Sequence, residues 1–541
     1  MKKLKTLLLM LLVAIFTIQV IGCDKSATDR GIIDGPHMSE RVYQRMDEEA
    51  IYNLIDEIYV LLETDGNIAA IEEKREAFFN EYYSKAFTMN TIASINYDKD
   101  VTDEYWQEES VWALNFAQQF QNDTLKLEQA ILSSEFYGEY FTKLLGEDYA
   151  ASILVAETDS EEQLAILAEI SSLEAQYSSL YASFKYTKIP SVYIKLVTLR
   201  NQYAQGKKNS DGEYYANYMD YAYENIYGRE YTPDEVVGFR NAVKKNLATI
   251  RNRLIPHASD ASVSADQAFS AKDLTQYMPT IINNTVPKMM DSWNYMIEKE
   301  LYDFNYSNKK ANTSYVTTFS EYGDAFMFIN PSNKVVSDFS TLIHEFGHYN
   351  EKFMADPMLA TNGRSYDLAE THSQAFELIS MPVMENVFEG FKTDNLYESY
   401  VFNTLINGVW SMMINCAFDE FEYTVYNANP EELTSDFLKS AFNTAWGHFW
   451  TGSGSYNFYD IPHFFSSPAY CISYSVSMVF SAEIWASDDP INNYVSVVKH
   501  GSNNTLSNVC ENVGLLSPLT DEAVLSVKEH LLAFIRSTYG W

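Results

Sequence analysis

Residues 338–348 read DFSTLIHEFGH and place two histidines, His344 and His348, four positions apart, with Glu345 directly after the first. Residues four apart on a helix share a face, so both imidazoles can offer a nitrogen to one metal ion. In sites with this spacing the adjacent carboxylate takes a proton from water. The pattern therefore predicts a helix that carries part of a zinc hydrolase site. The alternative is an ordinary helix whose polar side chains face solvent.

A third ligand is expected from a separate element, because catalytic zinc usually takes three protein ligands and leaves one position open. The later helical stretch YDLAETHSQAFE contains Glu370, which follows His344 by 26 positions. His372 competes with it, but two positions on a helix are about 200° apart, so only one of the two can face the ion. The face shared with Ser373 and Gln374 favours Glu370, and the side chains of Gln374 and Glu377 could orient the imidazoles.

These stretches resemble the M3 family of zinc oligopeptidases, the oligoendopeptidase F and thimet oligopeptidase group. The stretches LRNQYA (199–204) and YANYMDYAYENIYGREYT (215–232) are similar to the segment before that family's catalytic core. Downstream, the motif IPHF (461–464) with Tyr470 and Tyr474 is similar to its His and Tyr cluster. The order of the motifs agrees with the family.

The resemblance covers residues 190–485 and implies a metallopeptidase. Its zinc ion would activate water for attack on a peptide bond. Glu345 would be the general base and would return the proton to the leaving amine. The implied zinc ligands are His344, His348 and Glu370.

The same resemblance assigns three further side chains to the oxyanion that forms on the attacked carbonyl, where an imidazole or a phenol can donate a hydrogen bond. They are His463, Tyr470 and Tyr474. One position departs from the family, whose members often carry another histidine three residues after the second ligand, where this chain has Glu351. That histidine is not a zinc ligand in the family, so the difference concerns subfamily and substrate range more than the metal.

The fold implied by the resemblance is mainly α, with two helical halves enclosing a deep substrate channel and a zincin-like core that includes a small β-sheet. Such a channel admits short unfolded peptides and excludes folded proteins. Short peptides are therefore the expected substrates.

Two β-type runs precede the metal motif. Residues 315–319 and 325–330 are rich in β-branched and aromatic residues and flank a turn that contains Gly323. They predict a hairpin. An edge strand there could pair with an extended peptide, or both strands could simply complete a small sheet.

The first 23 residues predict the location of the protein. Three lysines within the first five positions precede an apolar run over residues 7–18, and VIGC ends at Cys23. This looks like a bacterial lipoprotein signal with a lipobox, in which Cys23 is lipidated; an ordinary signal peptide or a short anchor is the alternative. We expect an extracytoplasmic protein anchored to a bacterial membrane by lipid, with residues 24–37 as a polar tether.

Composition limits the remaining possibilities. The net charge of −36 over 541 residues argues against nucleic acid as a partner. No stretch after the signal is long and apolar enough to suggest a membrane span. Cys416, Cys471 and Cys510 remain after Cys23 and allow at most one disulfide.

Helical periodicity dominates the chain before the family-like region. A break at Ile189 and Pro190 separates a predicted N-terminal helical domain, 38–190, from a predicted catalytic domain, 191–541. The helical segments predicted in the first domain are 38–63, 66–90, 103–145 and 158–187.

Two other functions fit parts of the pattern. A lipidated helical protein could be the peptide-binding component of an uptake system, or an inactive relative that still binds zinc. Binding alone has no need for Glu345, so the complete set of ligands and base favours the peptidase.

Overall fold

The structure is a computed structural model that describes residues 34–540 except 157, 210, 258–270, 333, 362, 392–394 and 451–455. It is 72% helix and 3% strand, which confirms the mainly α class with a small sheet. The predicted signal peptide, Cys23 and the first part of the predicted tether lie outside the described residues.

The helices fall before, around and after the sheet. The helices before it are α1 (Glu48–Leu62), α2 (Ile68–Phe78), α3 (Ser84–Lys99), α4 (Glu104–Leu132), α5 (Gly138–Leu145), α6 (Glu147–Val155), α7 (Glu161–Ala182), α8 (Ile189–Gln205), α9 (Tyr218–Tyr221), α10 (Val236–Leu254), α11 (Ala271–Thr285) and α12 (Met290–Glu298). The strands are β1 (Tyr302–Asp303), β2 (Ser314–Phe319) and β3 (Asp324–Ile329). The helices after it are α13 (Val335–Met354), α14 (Tyr366–Ser380), α15 (Met384–Phe388), α16 (Leu396–Tyr426), α17 (Ser435–Phe449), α18 (His463–Ser466), α19 (Ile472–Ala486), α20 (Pro490–His500), α21 (Leu506–Val513) and α22 (Asp521–Tyr539).

The structure corrects two of the predicted bounds of the N-terminal helices. The segment predicted over 38–63 forms one 3₁₀ turn at Met38–Glu40 and becomes α-helical in α1 only after Asp47, whose side chain accepts a hydrogen bond from the amide of Ala50. The segment predicted over 103–145 is interrupted between α4 and α5. There Gly138 packs against the carbonyl of Leu132 so closely that a Cβ would not fit.

The last residues of the predicted tether, 34–37, lie against the body of the protein. The amide of Gly35 donates to the hydroxyl of Tyr295 at 2.8 Å, and Lys299 pairs with Asp34 at 2.7 Å. Just beyond, Arg41 binds Asp324 at the start of β3 through a fully buried ion pair of 2.6 Å. This part of the chain is therefore a docked segment, because its polar groups have partners on α12, on β3 and just after α12.

The small sheet has the order β1-β3-β2 and confirms the predicted hairpin. Strands β2 and β3 are antiparallel, with Ser314 opposite Ile329, and Gly323 in the turn has a φ of +69°. Strand β3 is buried throughout, whereas β2 lies at the edge and is mostly half-buried. The hydroxyl of Thr91, from α3, donates to the carbonyl of Thr318 on β2.

Helix α16 is long and apolar enough to cross a membrane by length and composition, with a mean hydropathy of 1.2 in its most apolar window. This differs from the expectation that no such stretch exists. Because 72% of that window is buried inside the protein, the helix fits the role of a core element. Cys416, Cys471 and Cys510 are buried free thiols in the structure.

The motifs that carry the candidate site residues lie on α13 and α14, on α18, and just before and at the start of α19, and α14 packs against both α13 and α19. Gly347 on α13 lies at the crossing with α14. A Cβ placed there would approach the Cα of Ser373 to 2.6 Å and the carbonyl oxygen of His372 to 2.7 Å. The absence of a side chain at Gly347 therefore allows the two helices to approach this closely.

We expect Gly347→Ala to lower the free energy of unfolding by about 1–3 kcal/mol, because its methyl group would overlap backbone that cannot rotate away. Thermal or denaturant unfolding measures the effect. The control is Gly447→Ala in α17, where a Cβ meets no atom within 4 Å. Equal stability of the two variants would contradict the packing argument.

Candidate active site

The predicted metal ligands converge on one point between α13 and α14. The Nε2 atoms of His344 and His348 lie 3.3 Å apart, one helical turn from each other. The Oε2 atom of Glu370 lies 3.8 Å from the Nε2 of His344 and 3.7 Å from that of His348. Three donor atoms from two helices thus face the same small volume, and all lie within 4.8 Å of one another.

This cluster fits a divalent cation. Within the described part of the chain, the Oε2 of Glu370 is buried and has no hydrogen-bond partner, which is costly for a carboxylate oxygen. Two imidazole nitrogens and one carboxylate oxygen are a donor set that catalytic zinc uses. The histidine side chains retain 25% and 21% exposure, so the cluster is open on one side to solvent.

Glu377 contacts the first imidazole. Its Oε1 lies 2.7 Å from the Nδ1 of His344, and its Oε2 accepts from the hydroxyl of Ser340. A proton held on Nδ1 leaves Nε2 free to bind a cation. Burial lowers the pKa of His344, but the hydrogen bond and charge of Glu377, with the charges of Glu345 and Glu370, raise it overall to about 9.

The second imidazole has different partners. His348 makes a hydrogen bond to the backbone of Ala369, and burial together with the neighbouring His344 holds its pKa well below the ordinary value. The prediction that Gln374 orients an imidazole is not met. Its Oε1 instead accepts from the hydroxyl of Ser477 on α19, because that side of α14 packs against α19.

Removal of Glu377 should weaken metal binding without unfolding the protein. We expect Glu377→Ala to raise the zinc dissociation constant by about 10–100-fold, because His344 loses the group that fixes its tautomer and ring orientation. Competition with a chromophoric chelator measures the constant, and Glu377→Gln should fall between this variant and the wild type. An unchanged constant in Glu377→Ala would refute this orienting role.

Glu345 lies on α13 beside the first ligand and is 7% exposed. Burial, with a further contribution from the charges of Glu370 and Glu377, raises its pKa to about 7 although the charge of His344 opposes this. No residue in the described ranges is seen to hydrogen bond its carboxylate. A carboxylate with this surrounding can accept and release a proton near neutral pH.

The structure brings His463, Tyr470 and Tyr474 together beside the cluster. The ring of His463 stacks on that of Tyr470 with centroids 5.9 Å apart, and Tyr474 meets both rings edge to face. Burial lowers the pKa of His463 to about 4, so its imidazole is neutral and can donate one N–H at neutral pH.

Tyr470 contacts one of the candidate metal ligands. Its hydroxyl donates to the Oε1 of Glu370, the oxygen that does not face the histidines. Tyr470 is therefore placed to orient the Glu370 carboxylate, and the rings of His463 and Tyr474 lie beside it.

His372, the competing ligand, points away from the cluster and is fully buried. Its Nδ1 lies 3.4 Å from the Oε2 of Glu351, whose Oε1 accepts from the amide and hydroxyl of Ser502. The residue that departs from the family pattern thus pairs with His372 and is not part of the cluster of candidate ligands. Seven positions are nearly two helical turns, so Glu351 lies on the same face of α13 as His344 but further along the helix, and its partners His372 and Ser502 come from other elements.

Comparison with known proteins places this site in a known class. The sequence model of peptidase family M3 matches residues 268–526, which include every one of the candidate ligands and the His and Tyr cluster. Among curated proteins no significant match was found.

Solved structures share the fold over nearly the whole chain. A structure described as an oligoendopeptidase F from Bacillus anthracis str. Ames has a TM-score of 0.73 at 19% identity. The match covers 94% of this chain and 99% of that chain. The structure named PZ peptidase A with inhibitor 2 has a TM-score of 0.76 at 19% identity and covers 93% and 99%. The oligoendopeptidase-F from Enterococcus faecium has a TM-score of 0.55 at 15% identity and covers 91% and 98%.

The helical fold, the site and the family match together define a peptidase. More particularly, the segment 268–526 belongs to peptidase family M3, and the fold of the chain is that of oligoendopeptidase F.

Proposed function

We propose that the protein is a zinc-dependent endopeptidase that hydrolyses short unfolded peptides. The observation that carries the proposal is the convergence, beside Glu345, of two imidazole nitrogens and a carboxylate oxygen that has no hydrogen-bond partner among the described residues. The family match and the oligoendopeptidase relatives support peptides as the substrate class.

The residues divide the chemistry among them. His344, His348 and Glu370 would hold the cation, which when bound supplies Lewis acidity that makes water a nucleophile near neutral pH. A carboxylate oxygen of Glu345 takes the proton from the attacking water and passes it to the leaving amine nitrogen. The N–H of His463 and the hydroxyl of Tyr474 donate to the oxyanion of the attacked carbonyl.

The edge of the small sheet can hold the peptide substrate. Strand β2 contacts α13, the helix of the histidine pair, and among the described residues its outer edge is not paired with another strand. An extended peptide can add to such an edge through main-chain hydrogen bonds, which makes recognition depend on an unfolded backbone. Cleavage of short peptides and resistance of folded proteins follow from this arrangement and from the expected channel.

The test uses the soluble body without the first 23 residues and a quenched fluorescent peptide library. Cleavage that a chelator abolishes and stoichiometric zinc restores would support the proposal. Tight binding of peptides without cleavage would favour a peptide-binding lipoprotein. Bound zinc with neither peptide binding nor cleavage would indicate an inactive relative.

We further propose that the protein is extracytoplasmic and attached to a bacterial membrane by lipid at Cys23. The support is the lysine-rich start, the short apolar run and the lipobox-like VIGC. Metabolic labelling with a fatty acid should mark the wild-type chain and leave Cys23→Ser unlabelled. Equal labelling of both chains would exclude Cys23 as the attachment point.

A further inference from the structure

The segment 227–231, which leads from α9 towards α10, carries a buried arginine beside the site. The Arg229 side chain has 0% exposure. Its guanidinium lies over the rings of Tyr223 and Tyr227, at 4.1 Å and 4.6 Å from their centroids. A buried cation needs compensating partners, and here two aromatic faces supply part of them.

One side of this guanidinium contacts the start of α19. The Nη2 atom of Arg229 donates to the hydroxyl of Ser473 at 2.9 Å and to the carbonyl oxygen of Tyr470 at 3.3 Å. The second contact is to the backbone of the tyrosine whose hydroxyl binds Glu370. Arg229 thus touches the residue that carries the phenol.

The other side of the guanidinium faces α14. The Nε of Arg229 lies 3.9 Å from the Oδ1 of Asp367, and the Oδ2 of Asp367 accepts from the hydroxyl of Tyr231. Asp367 precedes Glu370 by three positions, so the two carboxylates project from neighbouring positions on one face of the helix. Arg229 therefore contacts both elements that the hydrogen bond between Tyr470 and Glu370 joins.

The backbone on both sides of these contacts is fixed. Gly228 has a φ of +58°, and a Cβ there would overlap the carbonyl of Arg364 just before α14. The hydroxyl of Tyr227 donates to the carbonyl of Pro468 at 2.8 Å. The next residue, Ala469, has a φ of +65°, a costly conformation for a residue with a side chain, and its amide donates to the buried Glu422. The guanidinium and the turn before Tyr470 are thus held in one rigid arrangement.

We propose that Arg229 is a positioning residue that sets the Tyr470 hydroxyl against Glu370 and so fixes the orientation of this ligand carboxylate. The proposal rests on the proposed function, because it takes Glu370 as a metal ligand. Arg229 touches neither the cation cluster nor the expected substrate position, and its influence passes through the Tyr470 backbone on one side and Asp367 on the other.

A double-mutant cycle tests this pathway through the zinc dissociation constant, a readout that does not require activity. The four proteins are the wild type, Arg229→Lys, Tyr470→Phe and the double variant. Tyr470→Phe should raise the dissociation constant by about 10-fold, since it removes a hydrogen bond to a ligand. Arg229→Lys should raise it several-fold, because an ammonium cannot present the planar fork. The double variant should match Tyr470→Phe within about twofold.

The proposal would be overturned if the increases in the zinc dissociation constant from the two single variants multiplied in the double variant. It would also be overturned if Arg229→Lys had the zinc dissociation constant of the wild type. The control is Arg75→Lys, which changes another buried arginine, paired with Glu128 in the N-terminal helices, and should leave the zinc constant unchanged. Should Arg229→Lys fail to fold, Asp367→Asn keeps the shape of the other contact and should show the same non-additivity with Tyr470→Phe. Independent effects of Asp367→Asn and Tyr470→Phe on the zinc dissociation constant would also contradict the proposal.

The kinetic cycle on a cleaved library peptide separates this inference from the proposed function. A wild type that binds zinc but cleaves nothing would refute the peptidase, while the zinc cycle would still decide the role of Arg229. Where cleavage occurs, Arg229→Lys should lower kcat and leave KM within about twofold, with the loss absent in the Tyr470→Phe background. A change confined to KM would overturn the positioning role.

Discussion

Replacement of Glu345 by glutamine is expected to lower kcat for peptide cleavage by about 10²–10⁴-fold, while zinc remains bound at one ion per chain. Glutamine keeps the shape of the side chain but cannot accept the proton of the attacking water. The structure places Glu345 beside the ligand cluster without making it one of the three converging donors, so metal binding should be retained. Steady-state kinetics and elemental analysis on the same preparation measure both quantities.

A matched control for this variant is Glu351→Gln, which changes another buried glutamate on α13 that faces His372 and Ser502 and not the cluster. It should lose some stability and keep most of kcat. Cleavage at the wild-type rate in Glu345→Gln would exclude Glu345 as the base. Loss of zinc from that variant would instead mean that Glu345 binds the metal.

Replacement of Glu370 by glutamine should have the largest effect on metal affinity. We expect the zinc dissociation constant to rise by more than about 100-fold, beyond what loss of an outer partner such as Glu377 produces, because a neutral amide is a poor zinc ligand. Peptide cleavage should fall with the bound metal and recover in part at high zinc concentration. Chelator competition and zinc titration of activity measure the two effects.

Glu483→Gln is the control for this prediction. Glu483 on α19 is also buried, and like Glu370 it has one carboxylate oxygen without a hydrogen-bond partner in the described structure. Its other oxygen accepts from the amide of Leu516. Zinc affinity should be unchanged in this variant. Equal loss of affinity in both variants would show that the effect comes from general destabilisation, and retention of tight zinc in Glu370→Gln would remove Glu370 from the ligand set.

The helix bounds show where local sequence was insufficient. The period of apolar residues continues from residue 38 into α1, yet residues 41–47 are not helical. There Arg41 forms a buried ion pair with Asp324 on strand β3. The two residues are far apart in the chain, so the local pattern of apolar residues does not predict this contact. By contrast, the hairpin was predictable, because two runs of β-branched and aromatic residues on either side of a glycine form a pattern within one short stretch of sequence.

By itself, the sequence determined that His344 and His348 share a face, that Glu345 lies beside them and that Glu370 and His372 exclude each other, since helical geometry relates residues a few positions apart. Tertiary structure decided the rest. The crossing of α13 and α14 at Gly347 turns Glu370 towards the histidines and His372 towards Glu351. The packing of α19 on α14 assigns Gln374 to Ser477 and Tyr470 to Glu370. These pairings join residues about 100 positions apart, and only the packed helices, not any local spacing, bring such atoms within hydrogen-bond distance.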